Sequence, residues 1–319
     1  MDTNQYIPKS NTIWVLLLLM LVISPAVAQQ DAQYTQYMYN TVSVNPGYAG
    51  SRGHMSIAAL YRAQWVGLEG APKTQTLNLH TPMGYGGAGL GVSIVNDQIG
   101  PTSETYFDLD ISYTIKASDD ARISFGIKGS AHLLDIRFSE LNQNLANPGG
   151  PDPTLQQDIQ NRFSPNIGAG VYYHTQRFYA GFSVPRILET SHFDESSLST
   201  ATEQMTFYLI SGYVMDMSAF WKFKPAILSK VTKGAPLQLD LSANFMYNDK
   251  FIIGAAYRWD AAFSGMAGFQ ISPSFLIGLA YDREITELGN AAFNDGSFEV
   301  ILRYDFIRVQ GNLKSPRFF

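Results

Sequence analysis

Period-two alternation constrains this chain more than any other feature. In residues 296–307, "GSFEVILRYDFI", Phe298, Val300, Leu302, Tyr304 and Phe306 fall on one face of an extended strand. Ser297, Glu299, Ile301, Arg303 and Asp305 fall on the other. Residues 102–116 repeat the pattern, with Phe107, Leu109, Ile111, Tyr113 and Ile115 against Tyr106, Asp108, Asp110, Ser112 and Thr114. So do residues 236–247, where Leu237, Leu239, Leu241, Ala243, Phe245 and Tyr247 oppose Gln238, Asp240, Ser242 and Asn244. A soluble sandwich and a membrane barrel both alternate; they differ in whether the apolar face meets a core or lipid.

The start of the chain bears on that choice. Lys9 precedes the apolar run Ile13–Ile23, which is followed by Ser24-Pro25 and Ala26-Val27-Ala28. Charge, apolar run, helix breaker and A-x-A read as a secretory signal peptide, residues 1–28, cleaved after Ala28. A transmembrane helix needs about 20 apolar residues, and this run is shorter. No cysteine follows the cleavage point, so a lipoprotein is not expected. Charged residues make up only 15% of the chain, against about 25% usually. Aromatic residues make up 13%, and no later apolar run is long enough for a helical span. An exported, charge-poor, aromatic-rich chain of alternating strands is expected to form an all-β transmembrane antiparallel barrel of the outer membrane. The net charge of −5 gives no basis for a nucleic-acid surface.

About fourteen strands are expected, near 54–64, 73–82, 87–98, 102–116, 121–137, 163–174, 177–184, 205–217, 221–230, 236–247, 250–259, 262–271, 273–284 and 296–307. The long connections then all fall on odd-numbered turns and so on one rim. Outer-membrane barrels have short periplasmic turns and long extracellular loops. With the first strand rising from the periplasm, both termini are periplasmic. The expected domains are a plug or rim segment at 29–53, a barrel at 54–307 and a periplasmic tail at 308–319. A short helical piece at 154–160 is allowed by the pattern.

No catalytic set stands out. Gly84-Tyr85-Gly86-Gly87-Ala88-Gly89 spells G-x-G-x-x-G, but a strand pattern follows where a dinucleotide site needs a helix. These glycines are read as serving a turn and close backbone packing. The five histidines lack zinc spacing and there is no G-x-S-x-G elbow. No enzyme activity, cofactor or metal is expected. Asp108, Asp110, Lys128, Asp240, Arg258, Asp282, Glu299, Arg303 and Asp305 fall on lumen faces. They either pair across the lumen or form a selectivity ladder; buried charges need partners, so pairing is expected.

Four stretches carry a family resemblance: "QYMYNTVSVNPGYAGS" at 36–51, "YRAQWVGLEGAPKTQTLNLHTP" at 61–82, "NDQIGP" at 96–101 and "KSPRFF" at 314–319. Over the whole mature chain the sequence resembles the PorP/SprF family of type IX secretion system membrane proteins of Bacteroidetes-type bacteria. Tyr37, Asn45, Pro46, Ala49 and Gly50 match the first motif. Arg62, Gln64, Trp65, Gly67, Gly70, Pro72, Thr74 and Gln75 match the second, and Asp97, Gly100 and Pro101 the third. Ser315, Pro316 and Arg317 match the tail, with Phe318 in place of a usual tyrosine. The resemblance implies a non-enzymatic outer-membrane component linked to secretion, surface attachment of cargo, or gliding adhesins. Its implied partners are a secreted cargo protein with a C-terminal domain at the outer rim, a periplasmic lipoprotein or peptidoglycan-binding component, and outer-membrane lipid. By this topology Trp65 belongs to the outer aromatic girdle, while Arg62 and Gln64 point to the lumen. The alternative is a solute transporter of the hydrophobic-substrate type. The charged lumen face, with no clear apolar pocket, speaks against that path.

Overall fold

The computed structural model of the 319-residue chain describes residues 32–84, 86–140, 158–189, 204–290 and 293–307. Fifteen strand runs follow in order: β1 Met55–Ala63, β2 Lys73–Met83, β3 Ala88–Ile99, β4 Thr102–Lys116, β5 Arg122–Ile136, β6 Ile159–His174, β7 Phe178–Val184, β8 Thr206–Tyr213, β9 Met215–Asp216, β10 Trp221–Thr232, β11 Gln238–Tyr247, β12 Phe251–Arg258, β13 Ala262–Ser272, β14 Phe275–Glu284 and β15 Ser297–Phe306. Each pairs antiparallel with its sequence neighbours, except that β8 and β9 do not pair with each other, and β1 also pairs with β15, from Met55↔Phe306 to Ala63↔Phe298. The sheet therefore closes on itself. β8 and β9 are one crossing: both pair with β10, and the ladder lapses between Ala226 and Phe223, at Pro225. Proline has no N–H to give a ladder there. The barrel thus has fourteen crossings.

Alternation sorts the side chains as the pleat requires. Phe107, Leu109, Ile111 and Ile127 face outward and exposed, while Asp108, Asp110 and Lys128 between them are buried. Aromatic pairs cluster outside at both ends of the strands. Tyr257–Phe263 and Tyr281–Phe298 stand near one rim, with ring centroids 4.8 and 5.0 Å apart. Trp221–Tyr247 and Phe251–Phe269 stand near the other, both at 4.9 Å. Two such belts are what a lipid-facing barrel presents at its interfaces.

The longer connections 64–72, 137–158, 185–205 and 285–296 all lie on one rim, and tight turns close the other. β6 begins at Ile159, before the expected start. Residues 159–160 are therefore strand, not helix, with a bulge opposite Leu134–Ile136 where Asn161 has φ 50°. Residues 154–157, and the proline-rich 147–153, lie outside the described residues.

Residues 32–53 run inside the barrel. They form three short 3₁₀ turns, Tyr37–Tyr39, Thr41–Ser43 and Pro46–Tyr48. Tyr37, Met38, Val42, Val44 and Tyr48 form a core with inward Ile210, Leu228, Met246, Ile252, Leu276 and Ile301. The lumen face is therefore apolar along one side, which the charge pattern did not suggest. At Asn45-Pro46-Gly47 the Asn45 Oδ1 accepts from the Gly47 N–H at 2.9 Å, capping a turn that opens with proline. Asn45 Nδ2 donates to the Val171 carbonyl of β6 at 3.0 Å, so the turn is fastened to the wall.

Residues 32–53 run inside the barrel from one end to the other, where the expectation was a plug or rim segment beginning on the short-turn side. Its first residues stand near the long-loop end: Tyr34 bonds Thr76, and Thr35 and Gln36 bond Glu299. Its last stand at the short-turn end, where Arg52 pairs with Asp305 at 3.0 Å. Glu299 and Asp305 are about 20 Å apart along β15 at ~3.3 Å per residue. The segment therefore spans the lumen lengthwise, held by Glu299 near the long-loop end and by Asp305 at the short-turn end. Residue 32 therefore lies at the barrel end opposite to that where β15 finishes; residues 29–31 and 308–319 lie outside the described residues.

Candidate functional site

The second motif begins with a charge. Arg62, near the long-loop end of β1, is fully buried. Its Nη2 meets Asp282 at 2.6 Å, and its Nη1 meets Glu299 at 3.2 Å and the Thr35 hydroxyl at 3.0 Å. Thr35 in turn donates its hydroxyl to Asp282 and its N–H to Glu299. Three wall strands and the lumen segment therefore share one ion cluster. On the segment itself, which is no spanning strand, burial pushes the Tyr37 and Tyr39 phenols above their ordinary value and keeps them neutral.

The motif continues into the mouth. The Gln64 N–H donates to the Pro72 carbonyl at 2.9 Å, closing loop 64–72 on itself. The Val66 N–H donates to Gly296 O and the Asp295 N–H to Val66 O, both at 2.8 Å, so this loop zips to loop 285–296. On its other side the Gly100 N–H donates to Gly70 O at 2.9 Å, and the Thr74 hydroxyl donates to Asp97 at 2.6 Å. The second and third motifs are thus two halves of one latch. Gly67 sits where φ is +99° and a Cβ would lie 2.1 Å from the Phe293 carbonyl oxygen. Gly67→Ala is expected to cost about 1–3 kcal/mol of local packing. Limited proteolysis should show faster cleavage in loops 64–72 and 285–296 with little change in barrel melting.

Trp65 is the largest departure from expectation. It is not in the outer girdle. Its φ is +47°, a left-handed value rare for a bulky residue, and this turns the indole out of the strand's alternation. Half-buried, it donates Nε1 to Glu284 Oε1 at 2.9 Å and its N–H to the Ser297 hydroxyl at 3.2 Å. It lines a cavity of about 450 Å³ at the long-loop rim together with Gln33, Gln64, Trp259, Asp260 and Glu284. Gln64 points inward as expected. Leu237 and Arg258 complete the walls. Sequence reasoning missed Trp259, Asp260 and Glu284 as site residues. The available signal was a tryptophan and two acids at strand ends on the long-loop side.

The expected lumen charges are all buried and all paired. Lys128 stands 3.1 Å from Asp108 and 3.0 Å from Asp110. Arg258 meets Asp240 at 2.7 Å. Arg303 and Arg52 share Asp305, at 3.4 and 3.0 Å. With the charges held in pairs and the lumen segment between them, the arrangement is a brace, not a ladder open to a solute. Among the described residues no group of three acidic or histidine side chains is placed to hold a metal.

The profile of the family described as "Type IX secretion system membrane protein PorP/SprF" matches residues 26–304. The chain belongs to the PorP/SprF family. Among solved structures it is similar to the CymD monoaromatic hydrocarbon channel, at a TM-score of 0.50 and 11% identity, over 90% of this chain and 95% of that one. It is also similar to the outer membrane protein Omp33 of Acinetobacter baumannii, at 0.46 and 8%, over 79% and 98%. A FadL homologue of Pseudomonas aeruginosa gives 0.39 and 14%, over 79% and 89%. At these identities the likeness concerns the fold of outer-membrane barrels alone. No curated protein matches the chain.

In this PorP/SprF protein the motif residues divide by place. Tyr37, Asn45, Pro46 and Gly50 lie in the lumen segment, Arg62 joins it to the wall, and Gly70, Pro72 and Thr74 shape the latch. Gln75 faces outward and exposed, apart from the cavity. Gln64 and Trp65 are the motif residues that reach the cavity. Ser315, Pro316, Arg317 and Phe318 lie outside the described residues.

Proposed function

We propose that this type IX secretion component is a non-enzymatic anchor. Its latched long-loop rim faces the cell exterior and holds a secreted surface protein or gliding adhesin. Its short-turn rim and C-terminal tail face the periplasm and meet a lipoprotein or peptidoglycan-binding component. The observation that carries this reading is the lumen segment, tied by ion clusters at both ends of the barrel. A transporter of hydrophobic solutes would have to break both clusters in each cycle. An anchor gains from them, because they stiffen the rim that does the holding.

A cell-surface assay tests this. Replacing residues 65–71 with a glycine-serine linker should release the surface protein into the medium while the barrel stays in the outer membrane at its normal level. Surface protein retained at full level on such cells would overturn the reading.

A further inference from the structure

The 450 Å³ cavity at the mouth falls within the ~300–1,000 Å³ of small-ligand sites. Its charge is unbalanced. Arg258 is committed to Asp240 at 2.7 Å. Among the described residues, neither Asp260 nor Glu284 forms an ion pair with a basic side chain. Glu284 Oε1 accepts from Trp65 Nε1, while Oε2 is buried without a hydrogen-bond partner. Trp65 and Trp259 both line this cavity, and Trp259 is 64% exposed.

Aromatic faces beside uncompensated carboxylates are the surroundings that a cationic side chain prefers. The ring quadrupole attracts the cation, and the carboxylate supplies the counter-charge. An anion would meet two like charges, and a purely apolar group would leave both acids unpaired. We infer that this cavity is a binding site for an arginine or lysine side chain of the docked secreted protein. The inference rests on the anchor reading for the identity of the partner; the chemistry of the cavity stands apart from it.

The test uses the purified full barrel in detergent carrying Trp221→Phe, which removes the tryptophan of the opposite rim. The probe is N-acetyl-arginine methylamide, with the uncharged N-acetyl-citrulline analogue as its isostere. Titration of the arginine probe should give a saturable change in tryptophan fluorescence, at least about tenfold tighter than citrulline, as expected for a paired and partly desolvated charge. Glu284→Gln keeps an acceptor for Trp65 Nε1 and removes the charge. It should weaken the arginine probe about tenfold or more with melting unchanged, and leave the citrulline response as it was. Equal response to both probes, no saturation, or an undiminished response in Glu284→Gln would overturn the inference. The two readings fail separately. Surface protein retained at full level after replacement of residues 65–71, with the arginine probe still bound by the unaltered barrel, removes the anchor reading alone. Retention intact in Glu284→Gln cells removes the cavity as the docking point alone.

Discussion

Arg62→Met is expected to destabilise the folded barrel by about 3–5 kcal/mol, the cost of leaving buried charge uncompensated. Asp282 and Glu299 are held beside each other by this one guanidinium, and all three are almost wholly buried. Without it, two carboxylates face each other in the lumen, and the N–H groups of Thr35 and Gln36 with the Thr35 hydroxyl cannot neutralise both. Removing the charges together, as Arg62→Met with Asp282→Asn and Glu299→Gln, should recover most of the loss, because the penalty belongs to the unpaired partners. Thermal unfolding in detergent reads both variants. A single Arg62→Met that melts like the wild type would show that the cluster does not brace the barrel.

The second large effect concerns the lumen. Gly126 of β5 faces inward against the Pro46-Gly47 backbone, and a Cβ there would lie 2.3 Å from Gly47 N and Pro46 C. These are backbone atoms of a turn that Asn45 already fastens to β6, so neither side yields easily. Gly126→Leu is expected to lift the turn off the wall, at about 1–3 kcal/mol or more for overpacking. In planar bilayers the wild type should show no steady ion conductance, and Gly126→Leu should show it. Gly129→Leu is the control: Gly129 has nothing within 4 Å of its Cβ position and should leave both melting and conductance unchanged. A conducting wild type, or a silent Gly126→Leu, would contradict a lumen closed by residues 32–53.

How far the sequence could be read follows from where its information is local. Alternation is local, so the strands, their inward charges and the split between long and tight connections were legible. The break at Pro225 and the early start of β6 at Ile159 were not; both depend on what the neighbouring strand offers at that height. Trp65 was misplaced for a specific reason: parity assumes an extended backbone, and φ +47° ends it. The path of residues 32–53 lacks any period, and its partners Asp282 and Glu299 lie at the other end of the chain. The mouth cavity likewise joins Gln33, Trp65, Trp259 and Glu284, which meet only after closure. The resemblance marked the motif stretches but not their division between brace, latch and cavity.

The most direct measurement is purification from the native outer membrane in mild detergent, with any tag kept off both ends, followed by identification of what comes with the barrel. The account predicts a secreted protein in stoichiometric amount, lost when loop 65–75 is altered. A barrel that purifies alone and conducts ions or binds an apolar solute would contradict it.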